Sequence, residues 1–144
     1  MKKMVVLFFL LAIQTAVYAE NTSGSSMKIN GSDFYKKQSN AFKDMSESVA
    51  TPPTLYKGDV IVKSNDPYTY IATGVILVDT NDSGVSVLLK KYPIEVAYKY
   101  SGEDGGVSVF KAAGDVDIFS IYQKIQSQGY KVQLELSRNS LSLK

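Results

Sequence analysis

Beyond Leu55 the apolar residues of this chain recur mainly at every second position, and that rhythm restricts it to folds built around a β-sheet. Asp59–Ser64 (DVIVKS) is a short β-branched run. Tyr68–Asp79 (YTYIATGVILVD) predicts a long strand, apolar on both faces in its second half, with Gly74 marking a bend. Val85–Lys90 (VSVLLK) predicts the next strand. Ile94, Val96, Tyr98 and Tyr100 then alternate with Glu95, Ala97 and Lys99, the pattern of a single half-buried strand. Ser101–Gly106 (SGEDGG) supplies a hairpin turn, and VSVFKA leads back out of it. The period lengthens once, at Ile118, Phe119, Ile121, Tyr122 and Ile125, where it predicts a helix with Asp115 as N-cap and Gly129 just past its end. Tyr130–Leu136 (YKVQLEL) returns to strict alternation, SRNS turns the chain, and LSLK offers a short final strand. Residues 55–144 therefore read as one globular α+β domain, a mostly antiparallel sheet with a C-terminal strand–helix–strand–strand unit.

The preceding residues follow other rules. Residues 1–19 have the parts of a secretory signal: Lys2 and Lys3, an apolar run from Met4 to Ile13, and small residues Val17 and Ala19 before a cleavage after Ala19. Residues 20–31 (ENTSGSSMKING) are small and polar and predict a flexible leader. Residues 32–50 predict an amphipathic helix, with Ser32 as N-cap, Asp33 in the first turn and an apolar stripe of Phe34, Ala41, Phe42, Met45 and Val49. Residues 51–54 (TPPT) end it as a stiff proline hinge.

Export changes what the composition means. Two of the 16 basic residues leave with the signal, and the remaining 14 balance 14 acidic ones. No net field remains to gather nucleic acid or anionic lipid, and no second apolar run predicts membrane insertion. The chain has no cysteine, so an exported product must be held by its core alone and carries no N-terminal lipid. A domain of this size buries about two-thirds of its unfolded surface, which suffices. The expected location is the periplasm.

Residue types needed for catalysis are missing. Without histidine or cysteine the chain lacks the commonest general base, the nucleophilic triads and the usual zinc and copper ligands. Asp79–Gly84 (DTNDSG) matches the first half of an EF-hand loop, but Lys90 stands where the bidentate glutamate belongs; a strand-connecting turn accounts for every residue. Asp115 and Asp117 lie where a helix start wants acid and are too close in sequence to face one another as a carboxylate pair. No catalytic, cofactor or metal residues are assigned. Nine of the ten tyrosines lie beyond Ala19, and tyrosine suits interfaces because it buries a ring while its hydroxyl stays wet. The candidate partner-binding residues are Tyr98 and Tyr100, together with Phe34, Phe42 and Met45 of the N-terminal stripe.

The run VFKAAGDVDIFSIYQKIQSQGYKVQLELSRNSLSLK resembles the small strand–helix–strand–strand modules at the periplasmic end of outer-membrane secretins. It is also similar to the C-terminal region of accessory proteins of type IVb pilus systems, such as toxin-coregulated pilus biosynthesis protein Q and bundle-forming pilus protein G. The resemblance rests on the apolar strand Val107–Phe110, the helix Ile118–Ile125, the Gly129 stop and the strands after it, about a quarter of the chain. It implies a non-enzymatic periplasmic protein of pilus biogenesis or a secretion system, whose partner is a secretin or another envelope assembly protein. A secreted inhibitor of a hydrolase such as lysozyme, presenting SGEDGG as a rigid loop, is the alternative.

Overall fold

The computed structural model describes residues 25–37, 52–102 and 104–139. They form β1 (Met27–Ile29), β2 (Ser32–Lys36), β3 (Val60–Lys63), β4 (Thr69–Asp79), α1 (Asp82–Lys91), β5 (Ile94–Gly102), β6 (Gly105–Ala112), α2 (Ile118–Ser127) and β7 (Lys131–Asn139). Every strand pairing among them is antiparallel. The sheet runs β1-β2-β3-β4-β6-β5, with β7 joined to β4. Thr69–Ile71 of β4 pair with β3, Val75–Asp79 pair with β6, and β7 pairs along nearly the whole strand. One edge of β4 thus serves two partners in turn, and the other serves β7. The changeover falls at a bulge between Ala72 and Ile76, where Gly74 has φ +81°.

Two short helices cover one face of this sheet. Ile76, Val78, Phe110, Val132 and Leu134 point from the strands into the core that receives Val85 and Leu88 of α1 and Ile118, Phe119, Tyr122 and Ile125 of α2. Each such side chain, fully buried, stabilises by about 1.5–3 kcal/mol before entropy is charged against it. The cap of α2 is Asp117, not Asp115. Its Oδ1 accepts from the N–H groups of Phe119 (3.1 Å) and Ser120 (3.3 Å), and from Leu55 (3.0 Å) in the segment after the prolines. Leu55 is fully buried and its carbonyl accepts from Ile118 N–H, so this segment is fastened to the start of the helix.

Four expectations need correction. No helix starts at Ser32: Ser32–Lys36 is strand β2, and Phe34 is buried, edge-on to Tyr70 at 5.5 Å. Nor does the leader extend to residue 31, because Met27–Ile29 pair with Ser32–Phe34 through a two-residue Asn30-Gly31 turn with φ of 50° and 81°. Asn-Gly between alternating apolar residues is a strong hairpin signal, since both positions accept positive φ. Residues 1–24 and 38–51, including Phe42, Met45 and most of the expected helix, lie outside the described residues, as does LSLK. Finally, VSVLLK is helical. Asn81 caps α1, its Oδ1 accepting from Gly84 N–H at 3.0 Å and Ser83 hydroxyl at 2.9 Å, with Asp82 in the first turn and Lys90 and Lys91 in the last. Gly84 fits closely there: a Cβ at this position would meet Thr80 Oγ1 at 1.9 Å, so any side chain would force Thr80 to turn aside. DTNDSG is therefore a strand end followed by a helix start. Residues 137–139, expected in a turn, continue β7 opposite Ile71, Tyr70 and Thr69.

Candidate functional site

The face of the sheet turned away from the helices carries an apolar patch. It arises from one extra residue. Val96 lies opposite Phe110, but Tyr98 lies opposite Val109, so Ala97 is a bulge that reverses the strand's two faces. Ile94 and Val96 share the side of the buried Phe110, whereas Tyr98 and Tyr100 emerge on the other. Lys99, between the tyrosines, lies opposite Ser108 and reaches back to pair with Asp82 of α1. The single half-buried strand expected from alternation is thus two half-strands of opposite facing.

Across the patch, Tyr98 neighbours Val109, which neighbours Leu77; Tyr100 neighbours Val107, which neighbours Asp79. Tyr98 is 62% exposed, Tyr100 73% and Val107 40%, high for large apolar groups. Asp79, Lys111, Lys131 and Gln133 occupy the surrounding positions on β4, β6 and β7. Aromatic anchors inside a polar rim are the arrangement of a protein–protein contact.

The sheet's long edges are less available than this face. On β7, the side chain of Asn30 bonds both peptide groups of Leu134, donating from Nδ2 to the carbonyl (2.8 Å) and accepting at Oδ1 from the N–H (2.9 Å). An asparagine amide has the same donor and acceptor as a peptide, so it occupies positions a further strand would use. The backbone N–H of Asn30 also donates to Tyr122 hydroxyl at 3.1 Å. On β5, the bulge and the charges of Glu95 and Lys99 discourage pairing with another chain.

Of the sequence-derived candidates, the structure brings Tyr98 and Tyr100 together on one surface and places Phe34 in the core, where it has no surface to offer a partner. Val107, Val109 and Leu77 were not foreseen; only strand register reveals them. Among the described residues, no group of three or more acidic, histidine or cysteine side chains is placed to hold a metal, and no helix is long and apolar enough to cross a membrane.

Comparison with known proteins identifies relatives. The model of the Open reading frame 2 N-terminal domain family matches residues 16–141. The ASP external chaperone of Aeromonas sobria is 24% identical over 130 residues, spanning 88% of this chain and 83% of that protein. Among solved structures, the fold is similar to a chain in the crystal structure of the Aeromonas sobria serine protease (ASP) and chaperone (ORF2) complex. The TM-score is 0.58 at 23% identity, covering 83% of this chain and 100% of that one. This kinship keeps the chain non-catalytic but overturns the pilus and secretin assignment, the secretin partner and the hydrolase-inhibitor alternative. The earlier likeness rested on apolar spacing in about a quarter of the chain, and a strand–helix–strand unit is generic to α+β folds.

Proposed function

This chain belongs to the Open reading frame 2 N-terminal domain family, and from that membership we propose that it is an exported chaperone that binds a secreted serine protease and assists its folding. The observation that carries the proposal is the relationship, along 88% of the chain, to an external chaperone. A similar fold occurs in a crystallised protease–chaperone complex. The signal-like residues 1–19 supply the export route.

The patch around Tyr98 and Tyr100 is the proposed contact with the client. Strand backbones fix the points from which these rings project, so little backbone freedom is lost when a partner covers them. Chaperoning then needs no chemistry. A protein that binds the folded client and not the unfolded one stabilises the folded state by RT ln(1 + [L]/Kd), about 2.7 kcal/mol at a hundred times Kd. Preferential affinity for a partly folded client in which the same surface has formed would also lower the barrier to folding.

The test uses serine proteases from the source organism's own culture medium, unfolded in guanidinium and diluted with or without this chain. The chain should raise the recovered peptidase activity at stoichiometric amounts. The double variant Tyr98→Ala/Tyr100→Ala should bind the protease about 30- to 900-fold more weakly, because each of the two aromatic anchors contributes on the order of 1–2 kcal/mol, with an unchanged melting temperature. Equal recovery with and without the chain would refute the function; equal recovery with the variant would refute the site.

A further inference from the structure

On the helix side of the sheet an open groove of about 690 Å³ runs beside α2. Ser120, Lys124 and Gln128 form one wall, and Lys91, Tyr92 and Pro93, at the junction of α1 and β5, form the other. Val116 and Ile121 add apolar lining. Both ends are fixed: Gln128 Nε2 donates to Tyr92 hydroxyl across one, and Asp117 holds Leu55 at the other. α2 has 10 residues and is about 15 Å long, enough to lie beside four or five residues of extended chain at about 3.3 Å each.

The charges are one-sided. The carboxylate lining the groove, Asp117, is already engaged by three backbone N–H groups through one oxygen. Lys124 and Lys91 have no acidic partner among the described residues; Lys91 Nζ only overhangs the Tyr92 ring, 5.6 Å from its centre. We propose that this groove is a second binding site, which takes a short, extended, acidic segment of a protein partner, with carboxylates on Lys91 and Lys124 and an apolar side chain over Val116 and Pro93. It lies on the opposite side of the sheet from Tyr98 and Tyr100, so occupancy of one does not block the other, and it stands whether or not the client is a protease. Acids and bases balance beyond Ala19, so the chain's net charge adds no general attraction for such a segment.

Two fluorescein-labelled pentapeptides, Glu-Leu-Glu-Leu-Glu and Lys-Leu-Lys-Leu-Lys, titrated with the full chain and followed by anisotropy, test this. Only the acidic peptide should bind, more weakly at high salt. Lys91→Glu/Lys124→Glu should weaken binding about ten-fold or more, as expected for losing two exposed ion pairs and gaining two repulsions, whereas Lys91→Arg/Lys124→Arg should retain it. Amide shifts should move at Ser120 and Gln128 and not at Tyr98. Equal binding of both peptides, indifference to the charge reversal, or shifts confined to the Tyr98 face would overturn the proposal. So would sedimentation showing a dimer that the charge reversal dissolves, since the groove would then belong to a second copy.

Discussion

At the scale of single residues, the core contains one hydroxyl out of place. Ser108 is 1% exposed on the helix-facing side of β6, and its Oγ has no hydrogen-bond partner among the described residues. A buried polar group without a partner is destabilising, so Ser108→Ala should raise stability by about 1 kcal/mol, seen as a higher urea midpoint at unchanged slope. A second pair of residues ties stability to pH. Tyr70 hydroxyl donates to Asp66 Oδ2 at 2.6 Å, Tyr68 N–H donates to Oδ1 at 3.0 Å, and Arg138 and Lys63 add positive charge nearby. Together these hold the Asp66 carboxyl below its usual 3.8, and the same hydrogen bond holds the Tyr70 hydroxyl above its usual 10.0. The stabilisation from Asp66 is complete above pH 3.8 and is lost as pH falls through its lowered value. That from Tyr70 is complete below pH 10.0 and is lost as pH rises through its raised value. Tyr70→Phe should return the Asp66 titration, followed by carboxyl NMR, towards 3.8.

At the scale of elements, legibility followed how a segment is stabilised. β3, β4, β6, β7 and α2 were readable because each carries its own period and its own stop signals. α1 was not. Its valines and leucines imitate a strand, and the asparagine and serine chemistry that caps a helix is the same chemistry that closes a turn. The bulge at Ala97 left no mark in composition, since one inserted residue changes facing and not hydropathy. Hence Tyr98 and Tyr100 could be picked out as interface-type residues, but their apolar neighbours on β4 and β6 could not. The β1–β2 hairpin was legible in principle from Asn30-Gly31 and was masked by the helical spacing of Phe34, Ala41 and Met45. Its attachment was not, because Asn30 meets Leu134 across 104 residues. Asn30→Ala should loosen that attachment at both ends: amide exchange should quicken at Leu134 and across Met27–Lys36, with α1 unaffected.

At the scale of the molecule, the helices and the tyrosine patch occupy opposite sides of one sheet, and β4 is the strand that joins everything. It pairs with β3, β6 and β7, so the N-terminal hairpin, the tyrosine-bearing hairpin and the final described strand all depend on it. Such an arrangement is dominated by distant pairings and folds slowly for its size. It also sets an order of events. β7 is the last of these strands in the chain, and until it docks one whole flank of β4 has nothing to bond. A polypeptide cut short before β7 would therefore display its tyrosines on an unfinished scaffold, exposed to proteolysis. The sheet that carries them is complete only when the residues up to Asn139 have joined it.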